Sequence, residues 1–250
     1  MRLLLHQLGG EQRLFWRSRE LAFFTFLFPI LIFVLLGSVY GNDRIESEHV
    51  RGSQYLLAGM PGYGVAASAF AGLAITLVVR REGGVLKRLR GTPLPGRTYI
   101  AGVLGSTLVV YLIEAVALVM LARLLFDVAV PGRVVSIILV LVLGALSFAA
   151  LGLALTSIVR SAEGSSAVVN AIYLPMAFIS GSFWSPHAYP RFLEVIADVL
   201  PLTYFIRLVR DVMLRDEEIW SNLGAVAVVG LWGLLGVAGA MRGFRWEPRE

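Results

Sequence analysis

Six long apolar stretches, separated by short charged segments, constrain the fold of this chain more than any other feature of its sequence. The stretches cover residues 21–40, 56–79, 101–121, 134–159, 165–183 and 223–241. Glu114 is the single charged residue inside them, whereas the other 38 charged residues lie in the segments between. Because a helix needs about 20 apolar residues to cross the hydrocarbon core of a bilayer, the pattern predicts six transmembrane helices.

The composition excludes a soluble fold. Of the 250 residues, 57% are hydrophobic and 16% are charged, whereas soluble domains carry about 25% charged residues. The apolar stretches also lack the alternating pattern, about 10 residues long, that marks the strands of an outer-membrane barrel. The sequence therefore predicts an all-α integral membrane protein, with residues 1–250 forming a single transmembrane domain.

Few residues point to chemistry within the chain. It has no cysteine, which excludes disulfides and thiolate ligands, and its three histidines, His6, His49 and His187, lack the spacing of a metal site. The sequence also lacks the glycine-rich loop followed by lysine that cradles nucleotide phosphates. We therefore expect no enzyme activity, no metal and no cofactor in this chain, so that transport would draw its energy from a partner or an ion gradient.

Basic residues mark the sides of the predicted membrane domain. With the N-terminus in the cytoplasm, 14 basic residues lie in cytoplasmic segments and 7 lie in external ones, with Arg123 at a span edge left out. Basic residues favour the cytoplasmic side, so that both termini are expected there, in a multi-pass protein of the plasma (cytoplasmic) membrane. The net charge of +5 thus belongs to membrane-flanking loops rather than to nucleic-acid binding.

Two segments outside the spans have helical patterns of their own. Residues 1–20 place leucines, Phe15 and Trp16 among arginines, which predicts an amphipathic helix on the inner membrane face; the alternative is a simple basic flank. Residues 184–222 interrupt apolar helical runs with prolines, which predicts two short re-entrant helices that turn at Pro201. The alternative there is an external loop packed on the bundle.

The loop 80–99 carries the most specific motif. Its pattern Glu-x-Gly-x-Leu-x-x-Leu-x-x-Thr-Pro is formed by Glu82, Gly84, Leu86, Leu89, Thr92 and Pro93. Three further motifs lie elsewhere in the chain, one before this loop and two after it: Arg17, Pro29 and Gly37 around the first span, Ser180-Gly181-x-Phe183-x-x-Pro186 at the end of the fifth, and Leu200-Pro201-Leu202-Thr203 before the last. Over nearly its whole length the chain thus resembles the ABC transporter type-2 permeases, the family of the daunorubicin-resistance-type exporters.

The resemblance implies a specific architecture and a set of partners. It implies six transmembrane helices, an N-terminal amphipathic elbow helix and re-entrant helices before the last span. It also implies two copies of a cytoplasmic ABC ATPase, which would hold ATP and Mg²⁺, and a second permease subunit, identical or homologous, in the lipid bilayer. A coupling helix opened by Glu82 would dock on the ATPase through Glu82, Gly84, Val85, Leu86, Leu89 and Arg90.

The residues of the loop fit this role independently. Val85, Leu86 and Leu89 form an apolar strip on a short helix that ends before Pro93. An exposed amphipathic helix of this kind suits a groove on another protein. The alternative is a solvated basic loop without a partner.

Glu114 and three aromatic residues are the candidates for a substrate pathway. Ionisable residues at membrane depth are costly and mark functional sites, so that Glu114 is expected either to face a cationic substrate or to make a structural hydrogen bond. The remaining candidates are Phe178, Phe183 and Trp184. A pathway with apolar and aromatic lining favours efflux of hydrophobic or amphipathic substrates, drugs or lipids. The alternatives are a polysaccharide-exporting ABC permease, an ion-coupled carrier that uses Glu114, and a membrane scaffold without transport activity.

Small residues recur along two of the spans. The last span carries Gly230, Gly233, Gly236 and Gly239, and the fourth carries Gly144, Ala145, Ala149 and Gly152. Small side chains let membrane helices approach closely. Both spans are therefore expected to pack on other helices, either within one subunit or across a dimer.

Overall fold

Helices make up nearly all of the regular structure. The computed structural model describes residues 2–45, 49–159, 161–184, 189–244 and 246. Its α-helices are α1 (Arg2–Arg17), α2 (Arg19–Tyr40), α3 (Gly52–Gly64), α4 (Leu73–Glu82), α5 (Val85–Arg90), α6 (Gly96–Phe126), α7 (Val134–Leu155), α8 (Ala162–Ile179), α9 (Arg191–Val199), α10 (Pro201–Leu214) and α11 (Leu223–Gly243). A π-helical segment (Val65–Gly72) joins α3 to α4, and a 3₁₀ turn (Ile219–Asn222) precedes α11. Two short antiparallel strands, β1 (Arg44–Ile45) and β2 (Val50–Arg51), pair between α2 and α3.

Five of these helical stretches are long and apolar enough to cross a membrane: Arg19–Tyr40, Gly52–Glu82, Gly96–Phe126, Val134–Leu155 and Ile219–Gly243. The prediction of an all-α membrane protein is therefore confirmed. The predicted fifth span forms α8, which is 18 residues long and includes Glu163, Asn170 and Pro175, and α8 is not among the five. Its membrane crossing, and with it the count of six spans, stays a prediction.

The loops gather at two ends of the helix bundle. At the first, called the α5 end, the ring of Trp246 lies 6.0 Å from that of Tyr99 at the start of α6. At the second, called the α9 end, Arg133 before α7 forms an ion pair of 2.9 Å with Glu218 before α11. The long helices run between these two ends, and the basic loop 80–99 lies at the α5 end.

Helices α7 and α11 pack in parallel through small residues. A Cβ atom added to Gly233 would lie 2.7 Å from the Ser147 hydroxyl, and one added to Gly236 would lie 2.7 Å from the backbone of Ala150. The next pairs along the two helices are Gly239 with Ala154 and Gly243 with Ser157. Such close approach requires glycine on one side. We call this contact the glycine seam, and it shows that the last span uses these glycines within the chain.

Helix α1 has one side packed on α6 and another side that is apolar and exposed. The side-chain amide of Gln12 donates to the carbonyl and to the hydroxyl of Ser106, at 2.9 and 3.0 Å. Leu5, Leu14 and Trp16 are exposed, which suits contact with lipid. A position of this helix at the membrane surface, as an elbow, stays a prediction.

The segment before the last span forms two helices that meet at Leu200. Pro201 is the first residue of α10, a position where proline fits because its missing N–H would have no helical partner. On α9 the exposed apolar residues are Phe192, Val195, Ile196 and Val199. This spacing places them on one side of the helix, which suits lipid, and re-entry into the membrane stays a prediction. Pro186 of the predicted motif, His187, and Arg160, Arg245 and Arg249 of the orientation count lie outside the described residues.

Candidate functional site

Helix α5 is short and folds back against the bundle. Gly84 has a φ of 69°, a left-handed conformation that favours glycine, and it turns the chain between α4 and α5. The turn directs Leu86 into the core, whereas Val85, Lys87 and Arg88 are exposed. The α5 end therefore presents a surface that is mainly basic.

The prediction of an exposed apolar strip on α5 is wrong at its centre. Leu86 has 0% of its surface exposed, and Leu89 is half-buried against the core. The chain's own helices bury these apolar side chains, because removing apolar side chains from water is favourable even when no partner protein is bound. Val85 is the one member of the predicted strip that is exposed, at 37%, and Leu89 is partly accessible.

The last two residues of α4 hold both sides of the loop between α7 and α8. The buried guanidinium of Arg81 donates to the carbonyls of Thr156 (2.7 Å) and Val159 (2.5 Å), just past the end of α7. The carboxylate of Glu82 accepts a hydrogen bond from the backbone N–H of Ala162, the first residue of α8. A cation at a helix C-terminus and an anion at a helix N-terminus both complement the helix dipole. We call this arrangement the α4 clamp.

Two further residues of the predicted coupling contact lie at its margins. The resemblance implied that Glu82 opens α5. In the structure Glu82 is instead the last residue of α4, and its carboxylate faces α8. Arg90 ends α5 and borders a small pocket together with Tyr99 and Trp246. Of the predicted coupling residues, Glu82, Val85 and Arg90 are exposed, and Lys87 and Arg88 add two more exposed side chains on α5.

An ion pair joins α1 to α4 beside the clamp. Arg80 pairs with Glu11 of α1 at 2.8 Å and donates to the Tyr99 hydroxyl of α6 at 2.9 Å. Glu11 is 6% exposed and also accepts a hydrogen bond of 3.0 Å from Gln7. Because a buried charge without a partner is strongly destabilising, this pairing allows both side chains to lie inside the bundle. Helices α1, α4 and α6 are connected at this point.

A cavity of about 780 Å³ lies among α1, α2, the end of α3, the π-helical segment, α4, α6 and α8. Its volume is within the range of ligand pockets, about 300–1,000 Å³. The Arg80–Glu11 pair lines it toward the α5 end, and Glu114, Tyr63 and Tyr173 line it elsewhere. A π-helical segment is rare and is frequent at functional sites. We call this space the Glu114 cavity.

Glu114 lies on α6 with its carboxylate against Gly64, the last residue of α3. A Cβ atom on residue 64 would lie 2.6 Å from Glu114 Oε1, so that the glycine provides the room for the carboxylate. Glu114 is 2% exposed, and neither carboxylate oxygen has a hydrogen-bond partner among the described residues. The structural hydrogen bond considered from the sequence is therefore not found in the described part of the chain.

The other three pathway candidates form an aromatic cluster next to the end of α8. The ring of Phe178 lies 5.0 Å from that of Phe183 and 6.4 Å from that of Trp184. The ring of Tyr63 lies 5.6 Å from that of Phe183, and Tyr63 also lines the Glu114 cavity. The structure thus brings the three aromatic residues together and connects them to Glu114 through Tyr63.

Sequence reasoning missed Arg81, Tyr63 and Tyr173. A linear pattern counts Arg81 only as a basic flank, and it contains no sign that the side chain turns inward to backbone carbonyls. The two tyrosines sit inside predicted spans. A polar group at membrane depth was the signal that could have identified them.

Over most of its length, the chain is similar to known transport permeases. Residues 5–214 match the family model described as ABC-2 type transporter. The putative transport permease YvfS of Bacillus subtilis (strain 168) is 24% identical over 225 residues, which are 89% of this chain and 90% of that protein. The daunorubicin resistance ABC transporter permease protein DrrB1 of Streptomyces coeruleorubidus is 25% identical, over 84% of this chain and 74% of that protein. The linearmycin resistance permease protein LnrN of Bacillus subtilis (strain 168) is 23% identical, over 70% of this chain and 45% of that protein.

The family match covers the sites as well as the fold. It includes every helix from α2 to α10, together with α5, the α4 clamp and the Glu114 cavity. The resemblance seen in four motifs is thereby confirmed over most of the chain. The chain belongs to the ABC-2 type transporter family.

Proposed function

We propose that this chain is the membrane-spanning permease subunit of an ATP-driven exporter for hydrophobic or amphipathic substrates, drugs or lipids. The observation that carries the proposal is the position of α5, whose exposed side is basic and whose Leu86 is buried in the core. A partner that moves α5 would therefore move the bundle with it. The names of DrrB1 and LnrN, resistance permeases for daunorubicin and linearmycin, support substrates of this kind.

The α4 clamp gives a route from α5 to the membrane helices. Helix α5 follows α4 after only Gly83 and Gly84, and the clamp connects α4 to the adjoining ends of α7 and α8. Hydrogen bonds to charged groups are stronger than neutral ones, so that the loop between α7 and α8 would follow a displacement of α4. A displacement of α5 would therefore be transmitted to α4, α7 and α8 together.

The energy source in this proposal is a separate ABC ATPase, bound in two copies at the α5 end. ATP and Mg²⁺ would be held by that ATPase and not by this chain. A second permease subunit, identical or homologous, would complete the pathway in the plasma membrane. Lys87 and Arg88 would face acidic side chains of the ATPase, because charge complementarity steers the association of two proteins.

Reversing two of the three exposed charges of α5 is expected to separate the permease from its ATPase. In the double variant Lys87→Glu/Arg88→Glu, like charges would meet across the interface. We expect the amount of ATPase that co-purifies with the permease to fall roughly tenfold, and ATP-dependent transport in liposomes to be lost. Both quantities are measured on the same preparation of the co-expressed proteins.

The matched control reverses two exposed arginines of the α5 end that lie outside α5, in Arg97→Glu/Arg242→Glu. This variant is expected to assemble and transport normally. Normal assembly and transport by the Lys87/Arg88 variant would refute the coupling role of α5. Transport by the permease reconstituted without any ATPase would instead support an ion-coupled carrier.

The orientation in the membrane can be tested because the chain has no cysteine of its own. We expect both termini and α5 to be cytoplasmic, since basic residues concentrate on that side. Arg88→Cys should then react with a membrane-impermeant thiol reagent only after cells are permeabilised, whereas Trp220→Cys at the α9 end should react in intact cells. Labelling of position 88 in intact cells would show that the orientation is the opposite of the one expected.

A further inference from the structure

The Glu114 cavity contains a carboxyl group whose charge, when it is ionised, is not balanced by the described part of the chain. Its two other charged side chains, Glu11 and Arg80, neutralise each other in an ion pair of 2.8 Å. Glu114 is 2% exposed, and its carboxylate oxygens lack hydrogen-bond partners among the described residues. An ionised carboxylate in such surroundings is unfavourable unless a cation joins it. The charge balance of the cavity therefore favours a cationic ligand.

The groups near Glu114 suit an organic cation better than a metal ion. Tyr63 and Tyr173 line the same cavity, and the faces of aromatic rings attract ammonium groups. A calcium ion, in contrast, takes six to eight oxygen ligands. Within the described residues, the structure contains no group of three acidic or histidine side chains that could hold a metal.

The rest of the cavity suits an apolar body attached to that cation. Ser106, which binds α1 through Gln12, precedes Glu114 on α6 by eight residues. At a rise of 1.5 Å per residue, the two positions are about 12 Å apart along the helix. Phe15 and Val103 are among the apolar side chains that line the cavity. An elongated amphiphile in this cavity would thus have the Glu114 carboxylate beside its cationic end and apolar side chains along the rest of its length.

The open side of the cavity is bordered by exposed apolar side chains. Phe24 and Phe28 of α2 line it and are each 49% exposed, and Leu14 of α1 lines it and is 56% exposed. Helix α2 is one of the helices long and apolar enough to cross a membrane. Exposed aromatic side chains on such a helix suit contact with lipid, which would let a molecule dissolved in the bilayer reach the cavity from the side.

We propose that the Glu114 cavity binds a cationic amphiphile, with its ammonium group at Glu114 and its apolar body along α2. As a substrate site this proposal rests on the proposed function, whereas binding itself needs neither ATP nor an ATPase. A drug-like amine and the headgroup of phosphatidylethanolamine share this chemistry. The experiment separates these two sources.

The experiment measures the binding of two matched probes to the purified permease in phosphatidylglycerol nanodiscs. One probe is N-dansyl-1,12-diaminododecane, whose free amine is cationic at neutral pH, and the other is its uncharged N-acetyl derivative. After subtraction of empty nanodiscs, the wild type should bind the cationic probe several-fold more tightly than the neutral one. Glu114→Gln keeps the side-chain shape and should weaken binding of the cationic probe roughly tenfold, with little effect on the neutral probe.

Two further variants make the result decisive. Glu114→Asp keeps the charge and should keep the preference for the cationic probe. Glu163→Gln removes a carboxylate that is exposed on α8 and should change neither affinity. Equal affinities of the wild type for both probes would overturn the proposal, a result that depends on no variant. An equal loss of both probes in Glu114→Gln, at an unchanged thermal midpoint, would also overturn it.

Adding phosphatidylethanolamine to the nanodiscs identifies the source of the ammonium group. If the headgroup of this lipid occupies the cavity, it should compete with the cationic probe in the wild type and not in Glu114→Gln. If a free amine is the ligand, the affinity should stay unchanged. Binding of the probe without its ATP-dependent transport in the assembled complex would contradict the proposed function and leave the binding site in place.

Discussion

Replacing Gly236 by valine is expected to force α11 away from α7 and to destabilise the protein strongly. A Cβ atom at this position would lie 2.7 Å from backbone atoms of both Ala150 and Leu151, and backbone atoms cannot turn aside as a side chain can. Overpacking of a tight contact costs up to about 3 kcal/mol, and we expect the loss of unfolding free energy to be near that value. The measurement is the thermal midpoint of the purified protein in detergent, together with its yield in the membrane.

The same helix provides the matched control. Gly230 has open space around it, with no atom within 4 Å of a Cβ added there, so that Gly230→Val makes the same chemical change without a clash. We expect its unfolding free energy to stay within about 0.5 kcal/mol of the wild-type value. Equal stability of the two variants would show that the glycine seam does not hold α7 and α11 together.

Replacing Arg81 by methionine is expected to release the loop between α7 and α8. The carbonyls of Thr156 and Val159 would each lose a hydrogen bond to a charged donor, and such bonds contribute about 1.5–3 kcal/mol each. We expect the unfolding free energy to fall by about 3 kcal/mol. ATP-driven transport should fall further than the amount of bound ATPase, because the partner would still dock on α5 while the clamp no longer follows it. The thermal midpoint and the ratio of transport to co-purified ATPase measure these two effects.

Two other arginine variants define what the clamp requires. Arg97→Met removes an exposed cation at the same end of the bundle and should leave both quantities unchanged. Arg81→Lys should be intermediate, because a single ammonium group cannot match two carbonyls as a planar guanidinium does. Wild-type stability together with wild-type transport in Arg81→Met would remove the clamp from the proposed route.

The membrane fold could be predicted because hydropathy is a local property of a chain. The first predicted span, 21–40, becomes Arg19–Tyr40, and the fourth, 134–159, becomes Val134–Leu155. Charged residues are excluded from the hydrocarbon core, and they limit how far a span can extend regardless of what the rest of the chain does. The break before Pro201 is equally local, since proline restricts the residue that precedes it.

The candidate site could be predicted only in part, because its geometry depends on contacts between distant residues. The sequence shows that Leu86 is apolar, but it does not show whether the same chain or a partner buries this side chain. The turn at Gly84 decides that. Glu114 stood out as the lone charge in a span. The cavity beside it requires Gly64 from another span and the adjoining π-helical segment. The conformational preferences of single residues do not predict such a segment.

The shared direction of α7 and α11 has a consequence for how the chain is threaded. Two neighbouring helices that point the same way can be joined only by a connection that travels back along the bundle an odd number of times. Helix α8 makes that return: it begins at the α4 clamp and ends before Gly181, whose carbonyl accepts a hydrogen bond of 2.5 Å from Arg210 of α10. An odd number of passes between α7 and α11 therefore favours α8 as the helix that runs back along the bundle. This argument does not depend on how apolar α8 is.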